Sequence, residues 1–163
     1  MDLNENDELA ASIAEALLAK EARVGVVETT AGGLISARLL SVAGASRWFD
    51  RGVVAYTGTS KQDLVGVDTE LLREHGSVTP TVVEAMARTF RERSGLAYCV
   101  AESGMAGQQT GRRSAKPAGT CVIAVASPDG VTSQEFLFSG SRVEVMCQIA
   151  DAALTMLAEA VKG

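Results

Sequence analysis

Residues 44–66, GASRWFDRGVVAYTGTSKQDLVG, gather a hydroxyl (Ser46), a phenol (Tyr56) and an amine (Lys61) around one predicted strand. A serine and a lysine make a hydrolytic pair when the lysine is neutral and takes the serine proton. Neutrality requires the lysine pKa to fall from about 10.4 to about 7, a shift worth roughly 4–5 kcal/mol. Burial or a nearby cation must supply it. Arg51 and Tyr56 are placed to tune such a pair. Spacing alone favours ordinary roles, with Ser46 in a turn and Lys61 solvated on a helix.

A second candidate is VGVVETTAGGLISARLL, residues 24–40. The apolar run of Val24, Val26 and Val27 stops at Glu28, and Thr29, Thr30, Ala31, Gly32 and Gly33 lead into a helix. Such a turn exposes backbone N–H groups beside the positive end of a helix dipole, which favours an anionic group. It is not G-x-G-x-x-G and has no P-loop lysine. Spacing alone favours a capping threonine and glycines that allow close packing.

Glu102, Ser103 and Gly104 end a predicted central strand, where open α/β sheets often hold ligands, so Ser103 is a further candidate. His75, the only histidine, precedes a glycine at a predicted helix end and there contacts free carbonyls. No G-x-S-x-G elbow occurs for a serine triad. One histidine and scattered carboxylates give no metal site, and no motif calls for a cofactor. The basic loop GQQTGRRSAKP either steers an anionic substrate or is simply solvated, and the sequence leaves both open.

These residues need a scaffold. A helix is predicted over 5–21, with Leu9, Ile13 and Leu17 on one stripe and Asn4 as its cap. Strands are predicted over 23–28, 52–57, 96–103 and 120–127, and VTSQEFLF completes a hairpin after Pro128-Asp129-Gly130. A helix is expected over 31–40, short helices around 60–64 and from Asp68 to His75, and one starting at Thr79-Pro80. Ser141-x-x-Glu144 is a capping box for a last helix with Val145, Ile149, Ala153 and Leu157 inward. Alternating helices and strands followed by a hairpin imply an α/β fold. The expected form is a three-layer α/β/α sandwich with a mixed, mostly parallel sheet and a late antiparallel hairpin.

Composition agrees. The 163 residues fit one domain, 47% hydrophobic and only 4% aromatic. A net charge of −5 argues against a nucleic-acid surface. The acidic N-terminus is unlike a signal peptide, and no apolar run reaches membrane-spanning length, so a cytoplasmic protein is expected. Cys99, Cys121 and Cys147 read as buried reduced thiols. Small apolar residues on the first and last helices suggest a homodimer.

ETTAGGLISARL, GASRWFDRGVVAYTGTSKQDLVGV, LLREHGSVT, SGMAG, KPAGT and FSGSR, in that order, resemble the C-terminal domain of the CinA (competence/damage-inducible) proteins. That family includes the nicotinamide-nucleotide amidases, and the likeness spans nearly the whole chain as a stand-alone domain. It implies an α/β/α amidohydrolase that converts nicotinamide mononucleotide to nicotinic acid mononucleotide and ammonia, without metal or cofactor. By resemblance, Ser46 matches the nucleophile, Lys61 the general base and Tyr56 an assisting tyrosine. Ser103 stands where a threonine is common, and Arg142 matches an arginine suited to the substrate phosphate. Thr29, Thr30, Gly32 and Gly33 would line the site. The family turn Glu-Ser-Cys-Thr-Gly-Gly here reads Glu28-Thr29-Thr30-Ala31-Gly32-Gly33, and the family's Gly-Pro-Gly-Gly-Gly loop is replaced by GQQTGRR. Retention of Ser46, Tyr56 and Lys61 favours an enzyme acting on a small nucleotide. The altered turn and loop favour the alternative, a non-catalytic module that binds a nucleotide or a protein.

Overall fold

The structure is a computed structural model that describes residues 7–107 and 116–163. Its sheet contains β1 (Val24–Glu28), β2 (Phe49–Val54), β3 (Tyr98–Gly104), β4 (Thr120–Ser127) and β5 (Gly130–Leu137), in the order β2-β1-β3-β4-β5. β1 pairs in parallel with both β2 and β3, whereas β4 is antiparallel to β3 and β5. β4 alone therefore opposes the common strand direction, which agrees with the mixed sheet and late hairpin expected.

The helices are α1 (Glu8–Ala19), α2 (Leu34–Leu40), α3 (Gly58–Ser60), α4 (Thr69–His75), α5 (Pro80–Ser94) and α6 (Arg142–Lys162). Alternate strand residues point to opposite faces, and each face has its own core. On one, Ile13, Leu17, Ile35, Leu39, Ile149 and Leu157 of α1, α2 and α6 pack on Val24, Val26, Val100 and Ile123. On the other, Val83, Met86, Ala87 and Phe90 of α5 pack on Val27, Cys99, Ala101 and Val122. Burial on both faces explains why β1, β3 and β4 read as nearly continuous apolar runs.

Several boundaries differ from expectation. Asp7 caps α1 by accepting the Ala10 N–H at 3.1 Å, and Asn4 lies outside the described residues. β2 begins at Phe49, earlier than predicted, because its register is set by β1, with Val24 opposite Phe49 and Glu28 opposite Val54. Tyr56 and Thr57 fall outside the strand, since the Thr57 side chain caps α3 and accepts the Ser60 N–H at 3.1 Å. The helix expected around 60–64 is a π-turn, Lys61–Val65. Ser141 and Glu144 form the expected capping box of α6.

Candidate active site

Parallel pairing brings the carboxyl ends of β1, β2 and β3 side by side. Glu28 lies opposite Val54, and Val27 opposite Ala101, so Glu28 and Glu102 emerge at the same level. From β1 the chain leaves through α2 on one face, whereas the path from β2 to β3 crosses through α5 on the other. A crevice where connections diverge in this way is the usual ligand position in an open sheet.

The turn after β1 does bind anions, but they are the protein's own. Oε1 of Glu102 accepts the amide hydrogens of Thr29, Thr30 and Ala31 at 2.6, 2.6 and 2.8 Å. The Glu28 carboxylate caps α2, accepting from the amides of Gly33, Ile35 and Ser36 at 2.8, 3.1 and 2.9 Å and from the Ser36 hydroxyl at 2.6 Å. Gly33 is the N-cap residue with φ +105°, a conformation that glycine adopts without strain. Gly32, at φ +65°, is the exposed part of the turn. Of the amides in the turn expected to meet a ligand anion, those of Thr29, Thr30, Ala31 and Gly33 are therefore already occupied.

Both threonine hydroxyls are engaged with the backbone of neighbouring strands. Thr29 Oγ1 donates to the Ala55 carbonyl at 3.2 Å, tying the end of β1 to the end of β2. Thr30 Oγ1 accepts the Gly104 N–H at 2.8 Å, tying it to β3. Both side chains lock the three strand ends together.

Lys61 is the principal feature of the site. It is only 2% exposed, although its sequence context suggested a solvated helix lysine. Its side chain makes no hydrogen bond or ion pair among the described residues. Burial holds its pKa below the usual lysine value, opposed by the nearby Glu102 charge. Val65, in the same π-turn, packs in the α5-side core beside Val27 and Ala55. Ser103 follows Ala101 on that face of β3, and its buried hydroxyl has no hydrogen-bond partner among the described residues.

Tyr56, 63% exposed, follows the end of β2 on the rim. Arg142 opens α6 and reaches Gly107, just beyond β3; its guanidinium lies 3.3 Å from where a Cβ on that glycine would stand. Ser46 is elsewhere. It sits exposed in the 3₁₀ turn Ala45–Arg47 before β2, and its carbonyl accepts from Arg23 at 2.8 Å, ahead of β1. β2 is six residues long, so it separates Ser46 from the carboxyl end by roughly 20 Å. Within one chain the expected Ser46–Lys61 pair is not assembled. His75 is an exposed helix-end residue, as expected. The loop change at Gln108–Arg113 lies outside the described residues.

Sequence reasoning passed over Glu28 and Glu102 as site-building residues. The available signal was a carboxylate closing each of two strongly apolar strands, a costly placement unless hydrogen-bonded. Burial pushes the Glu102 carboxyl up to about 7, against the three amides that favour its ionised form.

Comparison with known proteins gives a consistent picture. The family model of the CinA C-terminal domain matches residues 6–161. A nicotinamide-nucleotide amidohydrolase PncC of Enterobacter agglomerans is 39% identical over 158 residues, covering 96% of each chain. A CinA-like protein of Anaeromyxobacter dehalogenans is 39% identical over 151 residues, but this chain spans only 37% of its length. Among solved structures, a CinA superfamily protein of Klebsiella pneumoniae superposes with a TM-score of 0.90 at 29% identity, over 98% of both chains. A competence/damage-inducible protein of Agrobacterium tumefaciens has a TM-score of 0.90 at 33% identity, over 98% of this chain and 97% of its own. The chain belongs to the CinA C-terminal domain family, which includes a nicotinamide-nucleotide amidohydrolase.

Proposed function

We propose that this protein is a nicotinamide-nucleotide amidohydrolase in which Lys61 is the general base. The observation that carries the proposal is the enclosed Lys61 side chain at the carboxyl end of the sheet, with no hydrogen bond or ion pair among the described residues. Burial lowers its proton affinity, which a lysine base needs. The near full-length match to a relative named for this activity supports the substrate class.

The chemistry needs no metal or cofactor. A hydroxyl attacks the carboxamide carbon as its proton passes to Lys61 Nζ. The tetrahedral intermediate collapses, and Lys61 returns the proton to the departing nitrogen as ammonia leaves. Water, deprotonated by Lys61, then attacks the acyl carbon, and Lys61 returns that proton to the departing hydroxyl oxygen as the acid product leaves. The oxyanion takes donors other than the amides of Thr29–Ala31, since Glu102 occupies those. Arg142 is suited to the substrate phosphate, and Tyr56 to the rim of the cleft.

Two hydroxyls compete for the attacking role. The family resemblance favours Ser46, which in this topology meets Lys61 only from a second copy of the chain. The buried hydroxyl of Ser103, unpartnered among the described residues, favours attack from within the same chain. A non-catalytic nucleotide-binding module is the alternative function, favoured by the occupation of the turn amides. Incubation with nicotinamide mononucleotide distinguishes them. The amidohydrolase releases one ammonia for each nicotinic acid mononucleotide formed, whereas a binding module retains the nucleotide unchanged.

A further inference from the structure

Lys61 and Glu102 are both enclosed at the carboxyl end of the sheet, 2% and 0% exposed, yet no ion pair joins them. Each reaches the site from a different strand, Lys61 after β2 and Glu102 from β3. We propose that Glu102 is the positioning residue of this site, its carboxylate clamping the Thr29–Ala31 turn and supplying the counter-charge for Lys61.

The hydrogen bonds suit an ionised carboxylate. Oε1 accepts three amide hydrogens, and the Cys121 thiol lies 4.0 Å from Oε2 as a weak donor. Burial raises the pKa of that thiol and keeps it protonated. No better acceptor for a carboxyl proton is bonded to Glu102 among the described residues. The turn so clamped also carries Thr29 and Thr30, which tie β1 to β2 and β3. One side chain thus fixes the geometry around Lys61 and also sets its charge environment.

Among the described residues, the neighbouring charged groups have partners or places of their own. Glu28 of β1 repels the Glu102 charge but is held by the amides of α2 and Ser36. From α5, Glu84 accepts the Ser133 hydroxyl of β5 at 2.6 Å. From α6, the Arg142 guanidinium lies against Gly107. Glu102 is the charge that opposes the effect of burial on Lys61. An ionised Glu102 makes Lys61 hold its proton more tightly, and a neutral one lets Lys61 release it at lower pH. The catalytic consequence rests on Lys61 being the base of the proposed amidase; the clamp and the coupling do not.

The test is an NMR titration of protein labelled with ¹³C at the lysine side chains, of which the chain has four: Lys20, Lys61, Lys116 and Lys162. Lys61→Met identifies the Lys61 signal by its loss. Glu102→Gln keeps the shape and an acceptor oxygen for the turn while removing the charge. The Lys61 midpoint should move down by about one pH unit or more, whereas a purely structural Glu102 would leave it in place. An unchanged midpoint in folded Glu102→Gln overturns the proposal. If that variant does not fold, the unsubstituted protein decides, with Glu102 also labelled. Coupling requires a second inflection in the Lys61 curve at the Glu102 midpoint, and a single inflection overturns it. Coupled titration without ammonia release would uphold the counter-charge role and remove the amidase reading. Ammonia release without coupling would do the reverse.

Discussion

Ser46 and Lys61 stand at opposite ends of β2, one in the turn that enters the strand and the other in the π-turn that follows it. On the proposed amidase reading, Ser46 would meet Lys61 from a second copy of the chain, and Ser103 from the same copy. Mixing inactive Ser46→Ala and Lys61→Ala proteins, with subunit exchange, tests this. A shared site regains up to about a quarter of wild-type activity in a random mixture of dimers, each hybrid holding one intact site of two. If Ser103 attacks within the chain, Ser46→Ala stays active and Ser103→Ala is the inactive variant.

Thr30→Val should destabilise the fold without touching Lys61. It leaves the Gly104 N–H, now bonded to Thr30 Oγ1 at 2.8 Å, without an acceptor at a part-buried position. The expected loss is about 1–3 kcal/mol, read from urea denaturation. Thr30→Ser, which keeps the acceptor, should recover most of it.

Glu28→Ala removes the cap of α2. Three amides and the Ser36 hydroxyl lose their acceptor, so a loss of at least about 2 kcal/mol is expected in the same assay. Glu28→Gln keeps two polar atoms in place and should be milder.

The Glu102 carboxyl gives stability a defined pH dependence. Its folded pKa of about 7 lies above the ordinary 4.5, so between those values the folded protein keeps a proton that the unfolded chain has released. Its contribution is complete below pH 4.5 and is lost as the pH rises through about 7, by at most about 3 kcal/mol. Lys61 acts oppositely at higher pH. Its lowered pKa makes stability rise with pH between the folded value and the ordinary 10.5. Glu102→Gln should flatten the lower part of the stability profile measured by denaturation across pH.

Arg142→Gln should weaken binding more than chemistry. If its guanidinium meets the substrate phosphate, KM for nicotinamide mononucleotide rises about 10–100-fold while kcat changes little. An equal fall in kcat and kcat/KM would instead assign Arg142 to the transition state.

The scaffold was legible where local chemistry decides it. Pro80 starts α5, Ser141 and Glu144 cap α6, and Thr120–Ser127 is a strand between turn residues. The site was less legible, because its decisive contacts are long-range. The amides of Thr29–Ala31 favour an anion, but their partner is Glu102 on another strand. Ser46 and Lys61 are close in sequence and far apart in the fold, since β2 runs between them. Lys61 looked solvated because its burial comes from packing around the π-turn, which no helical periodicity signals.

The most direct measurement is ammonia release from nicotinamide mononucleotide by the unsubstituted protein and by Lys61→Met, which preserves an unbranched buried side chain. If Lys61 is the base, the unsubstituted protein turns the nucleotide over and the variant loses about a hundredfold to ten-thousandfold in kcat while remaining folded. Wild-type turnover by folded Lys61→Met would contradict that assignment.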